Sequence, residues 1–420
     1  MKAVVFTLGC KVNDCESASL AHALRERGWE VSEELEPADL YILNTCAVTA
    51  EAEKKSRQAI ARIRAAAPRA RIAVCGCAAE RAPQAFAEKE GVFLVTGARR
   101  KGDLLALLDE AAAGIRLDEA AAGIRLDEAD AAYDELPAPQ SSKTRAFVKI
   151  QDGCNNFCSY CIIPYLRGRT RSRSLESAAA EILSSPAEEV VITGIDVSSY
   201  RDGERDLADL LLAVREAPAR IRLGSLEANV ITPRLLEAAA RVREFAPHFH
   251  LSLQSGSDAV LKKMNRHYTG EEFLARVALV RNFFPDAAVT TDIIAGFPGE
   301  TEADFAATCA LAERAGFSHI HAFPYSRRTG TVAARMQDVP PAVKKERLHR
   351  LLALAERLRC AYEEGYVGRA LTVVPEEQKG EYTVGYSENY IRLYVPGVLE
   401  KKARVRAAAP FRDGLLAERP

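Results

Sequence analysis

Arg145-Ala146-Phe147-Val148-Lys149-Ile150-Gln151-Asp152-Gly153-Cys154-Asn155-Asn156-Phe157-Cys158-Ser159-Tyr160-Cys161 reads as an apolar strand running straight into a cysteine loop. Thiolates at i, i+4 and i+7 in one loop can wrap a cuboidal iron–sulfur cluster, binding three of its four irons. A zinc site wants a fourth ligand close by, in paired C-x2-C style, and the nearest further cysteines lie far along the chain. An open iron is a place for something to bind.

Outward from that loop, a βα rhythm runs to about residue 359. The pattern predicts strands over 146–150, 189–193, 220–226, 248–253, 288–294 and 319–323, with helices over 174–183, 207–215, 232–244, 270–283 and 302–315. Six βα units in one run fit a full or partial TIM-type barrel, whose chemistry sits at the carboxyl ends of the strands. A doubly wound sheet is the other possibility, and six strands favour the incomplete barrel.

The first hundred residues have a rhythm of their own, with strands over 2–8, 40–45, 71–75 and 92–96 and helices over 17–27 and 50–66. Strands alternating with helices predict a doubly wound parallel sheet, with ligands beyond the carboxyl ends of its strands. Cys10, Cys46, Cys75 and Cys77 stand at three such ends, so one crevice collects thiols from three strands. Cys15, Cys309 and Cys360 belong to no motif; the last two fall in helical segments and are expected to be buried.

Residues 109–117 recur unchanged at 118–126, and 109–135 carries nine acidic residues against two basic ones. With the Pro-Ala-Pro-Gln-Ser-Ser run that follows, the segment reads as a linker. Past 365 come short strands at close spacing (371–374, 382–386, 391–395, 402–406), a small all-β barrel pattern. Over 366–412 eight basic residues face five acidic ones, with Tyr382, Tyr386, Tyr390 and Tyr394 among them. A basic barrel with aromatics fits RNA, while each tyrosine taken singly fits cross-strand packing. The domains expected are therefore 1–108, a linker 109–143, 144–364 and 365–420.

Composition sets the limits. The chain has 420 residues, 57 basic and 58 acidic, and 48% are hydrophobic. That excludes a disordered chain and leaves any nucleic-acid surface local. No apolar run reaches the roughly 20 residues of a bilayer span. The N-terminus meets glycine and cysteine too early for a signal peptide, so a cytoplasmic protein with reduced thiols is expected.

The cysteine loop, with Tyr160 before its last cysteine, resembles the radical S-adenosylmethionine (SAM) superfamily. The longer run 154–173 resembles the methylthiotransferase branch of it, as do Thr7-Leu8-Gly9-Cys10-Lys11-Val12-Asn13, Leu251-Ser252-Leu253-Gln254-Ser255-Gly256-Ser257 and the stretch from Thr291 to Thr301. The resemblance spans nearly the whole chain: methylthiotransferase N-terminal domain, radical SAM domain, TRAM domain. It implies two 4Fe–4S clusters, one on Cys154, Cys158 and Cys161, the other on Cys10, Cys46 and a third cysteine that follows a glycine. That points to Cys77 after Gly76, with Cys75 the other candidate. SAM is expected near Tyr160, Gly194, Asp196, Ser225, Glu227, Gln254 and Ser257, where glycine admits close backbone approach and polar groups sit on the strand rim.

The implied activity is methylthiolation of threonylcarbamoyladenosine beside the anticodon of tRNA. One SAM serves as methyl donor and one as radical source, with flavodoxin or ferredoxin as electron donor and a sulfur donor left open. The Gly-Cys-Lys-Val-Asn form of the first motif resembles this branch, the isopentenyladenosine branch more often carrying Gly-Cys-Gln-Met-Asn and the ribosomal-protein branch Gly-Cys-Pro-Lys-Asn. Isopentenyladenosine, a ribosomal-protein aspartate, or RNA binding by a non-catalytic iron–sulfur protein are the alternatives. Arg167, Arg169, Arg171 and Arg173 would share one face of an extended segment, either gripping phosphates or pairing with nearby carboxylates.

Overall fold

Alternation of side chains along four apolar strands builds the N-terminal layer. Lys2–Thr7, Leu40–Thr45, Arg71–Gly76 and Val92–Thr96 pair in parallel, flanked by Glu30–Ser32 at one edge and Gly123–Arg125 at the other. Tyr41, Leu43, Ile72 and Val74 pack on Ile60 and Ile63 of helix Ala50–Ala66, while Leu40, Ile42, Ala73 and Cys75 pack on Leu20, Leu24, Leu104 and Leu108 of helices Lys11–Glu26 and Lys101–Ala112. Both faces are buried, as parallel sheets require. This computed structural model describes residues 1–99, 101–112, 123–126, 132–139 and 144–419.

The stretch expected as a linker is in part built into the fold. Gly123–Arg125 adds an edge strand beside Val92–Thr96. Tyr133 donates to the Lys149 carbonyl at 2.8 Å, Asp134 accepts from the Gly102 N–H, and Glu135 pairs with Arg173. Most of the duplicated nonapeptide lies outside the described residues.

In the central region Arg145–Asp152, Glu189–Gly194 and Arg220–Leu223 pair in parallel, and Ser225–Leu226, His248–Leu251, Ala288–Ala295 and His319–Pro324 form a second parallel set. The expected strand over 220–226 is thus broken at Gly224. Its N–H donates to Ile192 O at 2.8 Å, and a Cβ there would lie 2.9 Å from that oxygen. One half pairs with each set, so the chain carries the layer across the break. Helices cover the outside, and Ser174, Thr232, Thr269 and Thr301 cap four of them. Each such cap contributes about 1 kcal/mol.

The tail closes into a five-stranded barrel: Ala370–Lys379, Tyr382–Tyr386, Arg392–Pro396, Gly414–Glu418 and Ala403–Phe411. Three of these differ from expectation: Gly414–Glu418 is additional, the strand expected at 371–374 runs on to Lys379, and the strand expected at 402–406 runs on to Phe411. The barrel seats on the foot of the central layer. Glu189, fully buried, binds Arg145, Arg220 and Arg222, and the two last arginines donate onward to the carbonyls of Thr372, Tyr386 and Ser387. Tyr390 stacks between His248 and Tyr386, with ring centroids 4.4 and 4.6 Å away. Tyr386 and Tyr390 are therefore joint residues, and packing explains them without RNA. Among the described residues no helix is long and apolar enough to cross a membrane.

Candidate active site

Cys10, Cys46 and Cys77 are brought together by two backbone turns that need glycine. Gly9 has φ +127°, and a Cβ there would meet Cys46 Cβ at 2.8 Å. Gly76, at φ +96°, would place a Cβ 2.5 Å from Thr45 O. Asn13 ties the strand ends together, its amide donating to Leu8 O at 2.8 Å and Thr45 O at 3.0 Å. Cys77, opening the helix Cys77–Arg81, lies within electrostatic reach of Cys46 and Cys10. Cys75 is instead buried in the opposite face of the sheet, against the first helix. Burial pushes the Cys46 thiol up to about 11, and the Cys77 thiol upward against the pull of Arg167.

The arginine row expected on one exposed face does not form. Arg167 ends the short helix Ile163–Arg167 and is wholly buried. Its guanidinium donates to Cys77 Sγ at 3.3 Å, Asn13 Oδ1 at 2.9 Å, Glu16 at 2.8 Å and Asp152 at 3.1 Å. Lys101 and Lys149 also pair with Glu16. Arg173 binds Glu135 and Glu181, and Arg169 lies over the Phe157 ring. Of the two readings offered for this row, pairing with carboxylates is the one observed: Arg167 closes the helix Ile163–Arg167 and turns inward to Glu16 and Asp152, and Arg173 takes Glu135 and Glu181.

The second thiol set is held by its own loop. Gly153, at φ +70°, sits where a Cβ would overlap Arg169 O. Phe157 adopts φ +45°, and Asn265 clamps the carbonyls of Asn156 and Phe157 at 3.0 and 3.2 Å. The Asn156 N–H points at Cys154 Sγ (3.4 Å), and Arg266 at Cys158 Sγ (3.5 Å). Burial raises Cys154 and Cys161 to about 12. All six thiols are free of disulfides.

Both trios fit a cuboidal cluster: three free thiols each, with N–H donors aimed at sulfur, the interactions that tune such clusters. No group of three His, Cys, Asp or Glu among the described residues fits a single metal ion. A cuboidal cluster spreads its thiolates over separate irons and does not need three of them to meet at one ion.

Of the SAM candidates, Asp196 is beside Cys154 (3.9 Å) and accepts from Asn156 at 3.1 Å, while its N–H donates to Gln151 Oε1. Gly194 passes close to Gln151, where a Cβ would fall 3.0 Å from its carbonyl. Glu227 pairs with Arg266, which also reaches Ser252 O at 2.6 Å. Burial raises both carboxyls, against the pull of Ser199 on Asp196 and of Arg266 on Glu227. Tyr160 packs edge-on to Phe297, and burial raises its phenol. Gln254 holds φ +68° at a strand end, and Ser225 is exposed on the rim. Ser257 caps helix Asp258–Lys263 and donates to Asp304 at 2.5 Å, so its hydroxyl is committed to structure. Arg266 and Arg167 were not foreseen in these positions, because their partners Glu227 and Cys158, and Asn13, Glu16 and Cys77, lie between 39 and 154 residues away. Cys309 and Cys360 are half-exposed, not buried.

The radical SAM superfamily pattern matches residues 148–312, and that of uncharacterized protein family UPF0004 matches residues 2–97. The threonylcarbamoyladenosine tRNA methylthiotransferase MtaB of Bacillus subtilis (strain 168) is 38% identical over 438 residues, covering 99% of this chain and 96% of that protein. This chain belongs to the radical SAM methylthiotransferases. The MtaB protein of Thermotoga maritima is 37% identical, with 93% of this chain and 91% of that protein covered. The tRNA-2-methylthio-N(6)-dimethylallyladenosine synthase of Desulfitobacterium hafniense (strain Y51) is 34% identical, with 94% and 92% covered. Among solved structures, the radical SAM methyltransferase TsrM from Kitasatospora setae superposes with a TM-score of 0.58 at 16% identity, covering 79% of this chain and 77% of that one. That likeness is one of fold. Radical SAM enzymes of this type use SAM and a 4Fe–4S cluster, so the methylthiotransferase does as well.

Proposed function

We propose that this methylthiotransferase converts N6-threonylcarbamoyladenosine next to the tRNA anticodon to its 2-methylthio derivative. The observation that carries the reading is the pair of thiol trios on one chain, with Arg167, which ends the helix after the Cys154–Cys161 loop, bonded to Cys77 of the strand-end trio. In this reading Cys154, Cys158 and Cys161 hold one 4Fe–4S cluster, and Cys10, Cys46 and Cys77 the other. When bound, SAM would supply the radical that abstracts hydrogen and the methyl group, and the second cluster would take part in sulfur insertion, with the sulfur donor left open. The chain's own residues orient the reactants. Gly194 and Asp196, the latter beside Cys154, would face the amino acid moiety of SAM, with Tyr160 of the loop and Ser225 and Gln254 of the strand rim as further contacts. Arg266 neutralises Glu227 and steadies Cys158. The central layer is read as a partial TIM-type barrel and the tail as a TRAM-like domain, whose exposed Lys401, Arg404 and Arg412 meet the anticodon stem-loop backbone. A flavodoxin or ferredoxin is the reductant, and the setting is the cytoplasm.

Likeness to dimethylallyladenosine synthases of 34–37% identity keeps a second tRNA substrate in view. Mass spectrometry of tRNA nucleosides from cells lacking and then regaining the gene separates the two. Restoration of 2-methylthio-N6-threonylcarbamoyladenosine is expected. Restoration of the isopentenyl derivative, or a modified ribosomal protein with unchanged tRNA, would overturn the substrate assignment.

A further inference from the structure

Arg328 is a buried cation of the central domain whose side-chain hydrogen bonds fall on the N-terminal one. Its side chain is 4% exposed. One nitrogen, Nη2, donates both to Ala47 O at 2.5 Å and to Glu53 at 3.0 Å. Ala47 directly follows Cys46, and Glu53 lies in the first turn of helix Ala50–Ala66. Glu53 also pairs with Arg57 at 2.8 Å and Arg81 at 2.6 Å, so three guanidiniums share its carboxylate. The Arg328 Nε is buried and has no hydrogen-bond partner among the described residues. A guanidinium is thus spent on the backbone beside one cluster seat, at the cost of an unmade hydrogen bond.

The local sequence puts it there. Thr331 returns both its N–H (3.1 Å) and its hydroxyl (2.7 Å) to Arg328 O, closing a turn over 328–331. Gly330 supplies a positive φ of +97° at the third position of that turn, where glycine is favoured. Both ends of the segment are fastened to the seat of the loop trio. Ahead of the turn, the Tyr325 N–H donates to Ala295 O at 2.9 Å, and its ring meets Phe297 edge-on at 5.6 Å, which in turn meets Tyr160. Beyond the turn, the Ala333 N–H donates at 2.8 Å to the carbonyl of Ser159, the residue between Cys158 and Tyr160. Residues 325–333 therefore bond to both thiol seats.

Arg167 reaches Cys77 from the central domain, and Arg328 reaches the Cys46 turn from the same domain at a second point. Two points fix an orientation that one point leaves free to swing. Resting on the two-cluster methylthiotransferase reading above, we propose that Arg328 is a positioning residue for sulfur insertion, holding the Cys46 turn, and with it the strand-end seat, in register with the loop seat. Hydrogen abstraction at the loop seat does not need that register. Sulfur insertion at the same substrate carbon does, and a misplacement of about 1 Å can cost about a hundredfold.

The test compares the anaerobically reconstituted wild type with Arg328→Met, Arg328→Gln, Arg328→Lys and the surface control Arg57→Gln. Iron content is counted, and 5′-deoxyadenosine and methylthio nucleoside are measured in the same reaction, on threonylcarbamoyl- and isopentenyl-modified anticodon stem-loops. EPR of the doubly reduced protein reports the coupling between the two paramagnets, which falls steeply with their separation. Arg328→Met and Arg328→Gln, neither able to reach Ala47 O as arginine does, should keep about eight irons and go on forming 5′-deoxyadenosine. Methylthio nucleoside per 5′-deoxyadenosine should fall at least about tenfold, with the EPR coupling altered. The ammonium of Arg328→Lys can donate to both acceptors and should recover most of the ratio and of the coupling; Arg57→Gln should match the wild type. An unchanged ratio and unchanged coupling in the two loss variants would overturn the role of Arg328 while leaving the methylthiotransferase reading intact. So would an equal fall in both products, or loss of the loop cluster's iron in both variants, since a positioning role leaves that seat filled. A wild-type enzyme with about four irons, or one that cleaves SAM and methylthiolates neither RNA, would overturn the reading, and the inference with it.

Discussion

Cys154, Cys158 and Cys161 sit on one short loop, whereas Cys10, Cys46 and Cys77 arrive from three strand ends separated by two helices' worth of chain. The first trio is set by its own loop, at Gly153 and a left-handed Phe157, and by a clamp from Asn265 of the same domain. The second depends on sheet register, in which Asn44 lies against Cys75 and Thr45 against Gly76, and on tight turns at Gly9 and Gly76. It also borrows Arg167 from the helix Ile163–Arg167 that follows the first trio's loop. The loop trio is thus a self-contained seat, and the strand-end trio an assembly of two domains. Loss of the loop thiols should stop both halves of the chemistry, while loss of a strand-end thiol should stop only one.

The largest effect tests that asymmetry at the loop. Replacing Cys154, Cys158 and Cys161 together by alanine should abolish SAM cleavage and methylthiolation alike, measured as 5′-deoxyadenosine and modified nucleoside. Cys77→Ala should abolish methylthiolation while SAM cleavage persists. Cys75→Ala, a small change within a buried face, should cost about 1 kcal/mol of stability and leave methylthiolation in place. A reversal of the two cysteine variants would move the ligand to Cys75.

Arg167→Met comes next. Removing one partner from a buried ion network costs about 3–5 kcal/mol, read as a lower urea midpoint at pH 7. Asp152 sharpens the test. Lys149 and Arg167 overcome its burial and hold its carboxyl down at about 2, below the unfolded value of about 3.9. A depressed carboxyl adds stability that is fully present above the unfolded value and is lost as pH falls toward the folded one. Wild-type stability should therefore drop between about pH 4 and 2, and Arg167→Met should flatten that part of the curve. An unchanged acid limb would separate Asp152 from Arg167. The smallest effect lies on the tail. Lys401→Gln with Arg404→Gln should weaken tRNA binding modestly and flatten its salt dependence by roughly one unit of slope for each phosphate no longer neutralised, with cluster content unchanged. Lys402 is a poor choice, being tied to Glu244.

The same contrast explains what could be read from the chain. The loop trio was legible because its chemistry is a local spacing, and the strand-end trio because βα alternation announces where strands end. The resemblance points to Cys77 as the cysteine after a glycine, and the structure sets Cys77 past the turn at Gly76, away from the sheet face that Cys75 occupies. What stayed hidden depends on partners distant in sequence. Four alternating arginines looked like one extended face, yet Arg167 is buried by Glu16, which is 151 residues away. Tyr386 and Tyr390 taken singly fit packing, as read, but their partners lie on another domain: the foot of the central layer holds Tyr390 through His248 and Arg222, and Tyr386 stacks on Tyr390. Gly123–Arg125 was lost in an acidic stretch because an edge strand of three residues has too little pattern to show.

The most direct measurement is an iron count with Mössbauer spectra on anaerobically reconstituted protein. Two cuboidal clusters predict about eight irons per chain in the wild type. About four should remain when Cys154, Cys158 and Cys161 are replaced by alanine, and about four when Cys10, Cys46 and Cys77 are replaced, each remainder with the spectrum of one 4Fe–4S cluster. A full complement surviving either triple replacement, or about four irons in the wild type, would contradict the two-seat account.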